Sequence, residues 1–244
     1  MNNNIFKNLF KYLLRRFNRK IIKIRRRKPL SFVHDVPNKE SVDSIINSKG
    51  IIHIGAHRGL EGIVYEWFNK KVVWIEANPL IFDDLVDNIS NLYGQIAFNG
   101  LLGEENKSNV QFYLSNNDYA SSSIFQFSEN LKEELISNKK KLQMEKKIYL
   151  NMITLDSLID KEKIDISNFD HWIIDAQGSE LQILKGAKNN LKYCKSLYVE
   201  VSKNEYYKGD STKWPELRDY LTNKNFKLTS EPLSSHCDVL FVRN

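Results

Sequence analysis

Cysteine is scarce in this 244-residue chain, which has two, Cys194 and Cys237, in no C-x-x-C spacing. This scarcity excludes a disulfide framework and a structural zinc site. Long apolar runs are also missing: no stretch approaches the ~18 to 20 residues that cross a bilayer, and no secretory signal pattern opens the chain. These absences predict a cytoplasmic protein, and the length suits one α/β domain with an appendage.

Acidic residues are missing from the first thirty positions, which hold 11 Lys and Arg residues. The remaining positions hold 25 basic and 30 acidic residues, a net charge of −5. The pI of about 9.1 therefore reflects the N-terminal segment, and the body is mildly acidic.

Within this basic segment, apolar residues recur at steps of three and four. They are Phe6, Leu9, Leu13, Phe17, Ile21 and Ile24. The spacing predicts an amphipathic helix that ends at Pro29, which divides the chain into a basic arm over 1–30 and a domain over 31–244. Such a helix suits an anionic membrane surface. Docking on a protein surface and binding of nucleic acid are the alternatives.

The body alternates short apolar runs with segments of helical period. Strands are predicted at 51–54, 72–75, 95–99, 172–174 and 197–201, with helices at 38–48, 60–69, 80–90, 179–190 and 215–223. A middle section with strands at 110–114 and 147–153 and a helix at 129–140 interrupts the alternation. Two final strands, 226–229 and 239–242, have no helix between them. The pattern predicts an α/β fold with a doubly wound, mostly parallel sheet that ends in an antiparallel hairpin.

A glycine turn follows the first buried strand in Gly55-Ala-His-Arg-Gly59. Glu76 stands 21 residues after Gly55, at the end of the second predicted strand, where an acid accepts ribose hydroxyls. The pair predicts a nucleoside site. The fingerprint G-x-G-x-x-G is missing, so the expected ligand has no diphosphate, which disfavours NAD.

Five ordered blocks of sequence resemble the FkbM family of methyltransferases over about residues 50–242. They are HIGAHRG from His53, WIEANP from Trp74, SSS from Ser121, TLDSL from Thr154 and DAQGSELQILKGA from Asp175. The resemblance implies a Rossmann-like methyltransferase fold, S-adenosylmethionine as cofactor, and O-methylation of hydroxyl groups, commonly on sugars of glycans.

The resemblance also implies roles for cofactor-binding residues. Gly55, Ala56 and Gly59 would shape the methionine end of the site, Glu76 would bind ribose, and Asn78 would lie beside the adenine. At the head of the first block, many relatives have an acid where this chain has a histidine.

That histidine, His53, is expected either to contact the cofactor or to be a satisfied residue of the strand. His57, exposed on the glycine turn, is expected to touch cofactor or substrate. His171 is predicted to lie at the opposite edge of the sheet and to be structural.

Acids at the carboxyl end of the sheet are the candidate catalysts, because ligands of such sheets bind there. Asp175 is the first choice for the general base and also lies at the cofactor, with Glu180 and His57 as further catalytic candidates. Glu180 has a structural alternative, as an acid that complements a helix N-terminus. Glu200 is a third acid on this edge. No metal site is expected.

The acceptor is predicted to be a sugar or glycan, and nucleic acid is disfavoured. The insert over 116–147 is expected to cap the cofactor, or else to be a surface loop. Glu205, Tyr206 and Tyr207 stand where the acceptor passes or cover the sheet edge. A nucleic-acid methyltransferase and a non-catalytic cofactor-binding module are the alternative functions, and the oligomeric state stays open.

Overall fold

A computed structural model of the chain describes residues 39–129, 142–209 and 211–244. The arm over 1–30, its boundary, and the predicted helix after Glu129 lie outside these ranges. Among the helices within them, none is long and apolar enough to cross a bilayer.

Ten strands and six α-helices make up the described part of the chain. The strands are β1 (Gly50–Ile54), β2 (Lys71–Glu76), β3 (Gln95–Asn99), β4 (Leu101–Leu102), β5 (Lys107–Ser115), β6 (Met144–Ile153), β7 (His171–Ile174), β8 (Ser196–Ser202), β9 (Phe226–Leu228) and β10 (His236–Arg243). The helices are α1 (Lys39–Asn47), α2 (Gly62–Trp67), α3 (Pro79–Ile89), α4 (Leu155–Glu162), α5 (Glu180–Lys185) and α6 (Trp214–Asn223).

The main sheet has the strand order β3-β2-β1-β7-β8-β10-β9. The first five strands of this order, from β3 through β2, β1 and β7 to β8, pair in parallel. Strand β10 runs antiparallel to both β8 and β9. The predicted mostly parallel sheet with a closing hairpin is therefore confirmed. The order reverses direction between β1 and β7, and this switch point places a cleft outside their carboxyl ends.

Apolar clusters cover both faces of this sheet. Along β1, Ile52 and Ile54 pack into one cluster, and Ile51 packs into the other. Successive side chains of a strand point to opposite faces, so a strand that is covered on both sides reads as a continuous apolar run. All five residues of β1 are buried, which explains why this run predicts the central strand.

A smaller three-stranded sheet, ordered β4-β6-β5, interrupts the alternation. Its two long strands pair antiparallel and extend beyond the predicted spans at 110–114 and 147–153. Helix α4 was not predicted as an element. Thr154 caps its N-terminus, because the Thr154 hydroxyl accepts the Ser157 N–H at 3.0 Å. Helix α5 ends at Lys185, five residues before the predicted end at 190.

Candidate functional site

A cavity of about 240 Å³ lies at the carboxyl ends of β1, β2 and β7, at the switch point of the sheet. Four of the predicted cofactor residues line it, from three separate segments of the chain: Gly55, His57, Glu76 and Asp175. The insert contributes Tyr119, Ala120, Ser122 and Ile124 to the wall. The fold therefore brings Glu76, the acid predicted to bind ribose, and Asp175, the predicted general base, to the wall of one cavity.

The Glu76 carboxyl group is held by the backbone of the two turns beside it. Its Oε2 accepts the His57 N–H at 2.7 Å, and its Oε1 accepts the Asn78 N–H at 2.7 Å. Burial and, to a smaller extent, the nearby Asp175 raise the pKa of Glu76 to about 7, although these bonds favour the ionised form. Each carboxylate oxygen keeps a second lone pair for a ligand hydroxyl. The geometry fits the role of a ribose acceptor.

The glycine turn contacts the loop after β7 at Gly55. We call this loop, residues 175–180, the reaction segment. Gly55 has φ of 81°, and a Cβ there would collide with the carbonyl oxygen of Asp175. The Asp175 N–H in turn donates to the Ile54 carbonyl at 3.0 Å. Only glycine allows both the positive φ and this close approach, so the turn brings Asp175 against the nucleoside half of the site.

The remaining wall suits a purine and its sugar. Ile75, Leu101, Phe112 and Ile124 supply apolar surface. Asn78 is 1% exposed and caps α3 through its Oδ1, which accepts the Leu80 N–H at 3.0 Å, while its Nδ2 has no hydrogen-bond partner among the described residues. A buried amide donor without a partner is costly unless a ligand acceptor or water satisfies it. An adenine next to Glu76 supplies such acceptors.

Asn78 and three other predicted cofactor residues, His53, Ala56 and Gly59, do not line the cavity. His53 stacks on Trp74, with ring centroids 4.7 Å apart, and its Nδ1 lies 3.2 Å from the Tyr65 hydroxyl. Burial lowers the pKa of His53, which favours the neutral ring. Ala56 is buried in the same apolar cluster as Trp74. These contacts correspond to the satisfied histidine that the sequence left open.

Gly59 supports the turn from behind rather than from within the cavity. It has φ of 61°, and a Cβ there would lie 2.5 Å from Leu85 on α3. The second glycine of the turn therefore permits close packing of the turn on α3.

The candidate base Asp175 belongs to a network that Gln177 organises. Gln177 has φ of 51°, and its Nε2 donates to Oδ1 of Asp175 and, at 2.9 Å, to Oε2 of Glu200. Its Oε1 accepts the Tyr207 hydroxyl at 2.6 Å. Burial, followed by Asp175 and other acids, raises the pKa of Glu200 well above its ordinary value. Gln177 stands in the sequence block that begins at Asp175, but no sequence signal indicates that it bridges the two acids.

Glu180 has the position of a local cap. Its Oε1 accepts the N–H groups of Ala176 at 3.1 Å and Gly178 at 2.9 Å. It is 3% exposed, and burial raises its pKa to about 7. These contacts agree with the structural alternative stated for this acid, and its catalytic role stays a prediction.

The insert is tied to both halves of the site. Arg58, in the glycine turn, bonds both carboxylate oxygens of Asp118 at 2.7 and 3.1 Å and also Asp84 of α3 at 2.8 Å. His57 Nε2 lies 2.8 Å from the Asp118 carbonyl oxygen. Ser123, in the serine block, donates to the Gln177 carbonyl at 2.7 Å. Insert residues between 119 and 124 thus form part of the cavity wall, and the capping of a cofactor by the insert stays a prediction; residues 130–141 lie outside the described ranges.

A second cavity, of about 270 Å³, lies beyond this network at the end of β8. Its wall combines apolar and polar side chains, and the polar ones include Glu180, Glu200, Lys203, Glu205, Tyr206, Tyr207, Thr212 and Lys213. The two tyrosines are each 6% exposed and cluster with Phe127, so they cover the sheet edge as well as line the cavity.

Two further predictions concern residues away from these cavities. His171 is buried at the amino end of β7, where its Nδ1 lies 2.7 Å from the Ser196 hydroxyl, as expected for a structural histidine. The described residues contain no group of three or more His, Cys, Asp or Glu that can hold a metal ion.

Comparison with known proteins identifies one family. The model described as "Methyltransferase FkbM domain" matches residues 53–228. No curated protein sequence matches the chain.

Solved structures show distant likenesses. A SAM-dependent methyltransferase from Aquifex aeolicus is 10% identical with a TM-score of 0.48, over 88% of this chain and 93% of that one. Aeropyrum pernix fibrillarin with bound S-adenosyl-L-methionine is 9% identical with a TM-score of 0.42, over 81% and 68%. Magnesium protoporphyrin IX methyltransferase from Synechocystis with bound SAM is 9% identical with a TM-score of 0.38, over 83% and 74%.

Proposed function

This chain belongs to the FkbM family of methyltransferases, whose methyl donor is S-adenosylmethionine, and we propose that it methylates a hydroxyl group of a sugar in a glycan or glycolipid precursor. The observation that carries the proposal is the shared cavity at the switch point. There the ribose-type acid Glu76 and the candidate base Asp175 face one space.

Residues that line the first cavity, together with the buried Asn78 beside Glu76, would hold the cofactor. Glu76 accepts the ribose hydroxyls, Asn78 Nδ2 offers a donor to the adenine, and Gly55 lets the backbone approach the ligand. The cofactor supplies an electrophilic methyl group on a sulfonium, so the protein's task is to align a nucleophile and to take its proton.

Asp175 is the proposed general base. It follows β7 directly, and Gln177 orients it through the bond to Oδ1. A sugar hydroxyl is a weak nucleophile until it loses its proton, and a carboxylate within hydrogen-bonding reach accepts that proton as the new bond forms. Asp175 is the carboxylate that lines the cavity on the side of the reaction segment.

The second cavity supports a hydroxyl-rich acceptor. It adjoins the reaction segment at Gly178 and presents the buried Glu180 and the partly buried Glu200, with Lys203 and Lys213 at its wall. Carboxyl groups and ammonium groups bind sugar hydroxyls through directional hydrogen bonds. The net charge of −5 outside the arm argues against a polyanionic nucleic-acid acceptor.

An acceptor screen tests the activity. Purified protein and labelled S-adenosylmethionine are incubated with simple glycosides, nucleotide sugars, glycolipid extracts and RNA, and the products are read by mass spectrometry. Methyl ethers on a sugar support the proposal. Methylation of RNA alone favours the nucleic-acid alternative, and cofactor binding with no product from any acceptor favours the non-catalytic module.

With an acceptor in hand, Asp175→Asn tests the base. The amide keeps the shape of the side chain but cannot accept the proton, so turnover should fall by ~10² to 10⁴. Affinity for S-adenosylhomocysteine should stay roughly unchanged. Asp219→Asn, on the exposed face of α6, is the matched control. Unchanged turnover in Asp175→Asn would remove Asp175 from the role of base.

The basic arm over 1–30 is proposed to hold the enzyme on an anionic membrane, at the cytoplasmic face where a glycolipid precursor is available. Its 11 positive charges and apolar stripe support this. Full-length protein should sediment with vesicles of anionic lipid and not with neutral vesicles, less so at high salt, and removal of residues 1–30 should abolish the effect. A deletion that lowers the melting temperature without changing sedimentation would favour docking on the protein itself.

A further inference from the structure

The acid network beside the reaction centre extends to the protein surface. From Asp175, the contacts lead through Gln177 to Glu200, and from Glu200 to His236 on β10. His236 Nε2 lies 2.9 Å from Glu200 Oε1, and the two side chains are 39% and 15% exposed. The chain of groups therefore begins at the cofactor cavity and ends at a half-exposed imidazole.

Two acids in this network are held unusually close. One amide nitrogen, Nε2 of Gln177, donates to Asp175 and to Glu200, and the two carboxyl groups are themselves within hydrogen-bonding distance. Two partly buried carboxylates so close together repel each other, which favours one proton shared within the pair. Burial and the neighbouring Asp175 raise the pKa of Glu200, which favours Glu200 as the member that holds this proton.

His236 is oriented to receive that proton. Its Nδ1 lies 2.6 Å from the Ser202 hydroxyl, so its Nε2 points at Glu200, and the Tyr206 ring packs edge-on against the imidazole with centroids 5.1 Å apart. Imidazole exchanges protons with water near neutral pH.

The groups that face Glu200 come from four parts of the fold. They are Asp175 after β7, Gln177 and Glu180 at the start of α5, Tyr207 after β8, and His236 and Asp238 of β10. Among the titratable groups of this set, His236 is the one that carries a positive charge when it is protonated. This makes it the exit for a proton from an otherwise acidic cluster.

We propose that Glu200 and His236 form a proton relay that carries the acceptor's hydroxyl proton from Asp175 to solvent. The inference rests on the proposed function. In the reaction, the oxygen–methyl bond forms while the carbon–sulfur bond breaks, and the electron pair of that bond stays on sulfur. The hydroxyl proton goes to Asp175, Glu200 passes its own proton to His236 and takes the one from Asp175, and His236 releases a proton to water. The chain then holds one proton on the acid pair again.

Thermal melting tests, without any acceptor, whether Glu200 holds the proton of the acid pair. A carboxyl group whose pKa is raised on folding stabilises the protein below its unfolded pKa, and this stability is lost as pH rises toward the folded pKa. Glu200→Gln removes that loss. Its melting temperature relative to wild type should therefore rise by at least about 2 °C from pH 5 to pH 8. A difference that does not change with pH would show that Glu200 is not the protonated member and would overturn the relay.

Single-turnover kinetics with the acceptor from the screen test whether the proton passes through Glu200 and His236 during methyl transfer. Glu200→Gln and His236→Ala should each lower the rate about tenfold or more in dilute buffer. Added imidazole should restore the His236→Ala rate in proportion to its concentration, which a purely structural role does not predict. Glu216→Gln, an exposed acid on α6, is the control.

The outcomes separate this inference from the proposed function. Wild-type turnover together with full rates in both variants would overturn the relay and leave the methyltransferase assignment intact. Absence of wild-type turnover on every acceptor would defeat the proposed function, and the melting experiment would then still decide whether Glu200 carries the proton.

Discussion

The contact between Arg58 and Asp118 should control how fast the cofactor enters and leaves. The cavity of about 240 Å³ is smaller than the ~300 to 1,000 Å³ of typical ligand pockets, and insert residues after Asp118 form part of its wall. We therefore expect the insert to move when a ligand enters. Arg58 fastens it by two bonds to Asp118 while it also contacts Asp84.

The size of the effect follows from the exposure of the pair. The Arg58 side chain is 21% exposed and the Asp118 side chain is 57% exposed, so the pair is a surface ion pair with bidentate geometry. Such a pair contributes at most about 1 kcal/mol, which corresponds to roughly a fivefold change in an equilibrium constant. Asp118 has φ of 64°, which asparagine tolerates well, so Asp118→Asn removes the charge without straining the turn.

Association and dissociation rates of S-adenosylhomocysteine, measured by surface plasmon resonance, should both rise about fivefold in Asp118→Asn. The dissociation constant should stay nearly the same, because the closed form is weakened equally with and without ligand. High salt should accelerate the wild type toward the variant. Asp83→Asn, an exposed acid beside Asp84, is the control. Unchanged rates, or weaker binding at an unchanged association rate, would show that the contact between Arg58 and Asp118 does not control cofactor entry and release.

Two further predictions concern the buried acids. Glu76→Gln should weaken S-adenosylhomocysteine binding about 10- to 100-fold in calorimetry, through lost hydrogen bonds to a charged group of about 1.5 to 3 kcal/mol. Because burial raises the pKa of Glu76 to about 7, wild-type affinity should fall from pH 8 to pH 6 while the variant's stays flat; equal affinities would contradict the ribose role. Glu180→Gln should keep turnover and, since burial raises the pKa of Glu180 to about 7, gain up to about 3 kcal/mol of stability at pH 8 over pH 4.5 relative to wild type in denaturant titrations. A large loss of turnover would instead assign Glu180 to the chemistry.

Much of the fold was predictable because its signals are local. A strand that is covered on both faces must be apolar throughout, and Ile51–Ile54 shows this directly in the sequence. The closing hairpin was visible because no helix separates its two strands. The position of Glu76 was predictable for a similar reason: β1, the turn and β2 are consecutive, so the spacing from Gly55 to Glu76 places this acid beside the turn.

Which of the predicted residues face the cavity depended on side-chain direction, and sequence spacing alone does not determine that direction. Residue alternation along β1 turns His53 away from the cavity and onto Trp74, although it stands two residues before Gly55. Asn78 belongs to the block that contains Glu76, yet its Oδ1 is committed to capping α3. Helix α4 and the short strand β4 were missed because their signals are brief and they lie on either side of the section that interrupts the alternation.

The sequence by itself determined the class of fold, the family and the two acids Glu76 and Asp175 at neighbouring strand ends, because each follows from a short contiguous pattern. Only the tertiary structure decided which distant groups meet them. Arg58 and Asp118 are 60 residues apart, and Gln177 and Glu200 are 23 apart. Contacts at such separations arise from the crossing of the chain between strands and from the return of the insert over the cavity, and no local pattern records where those paths cross.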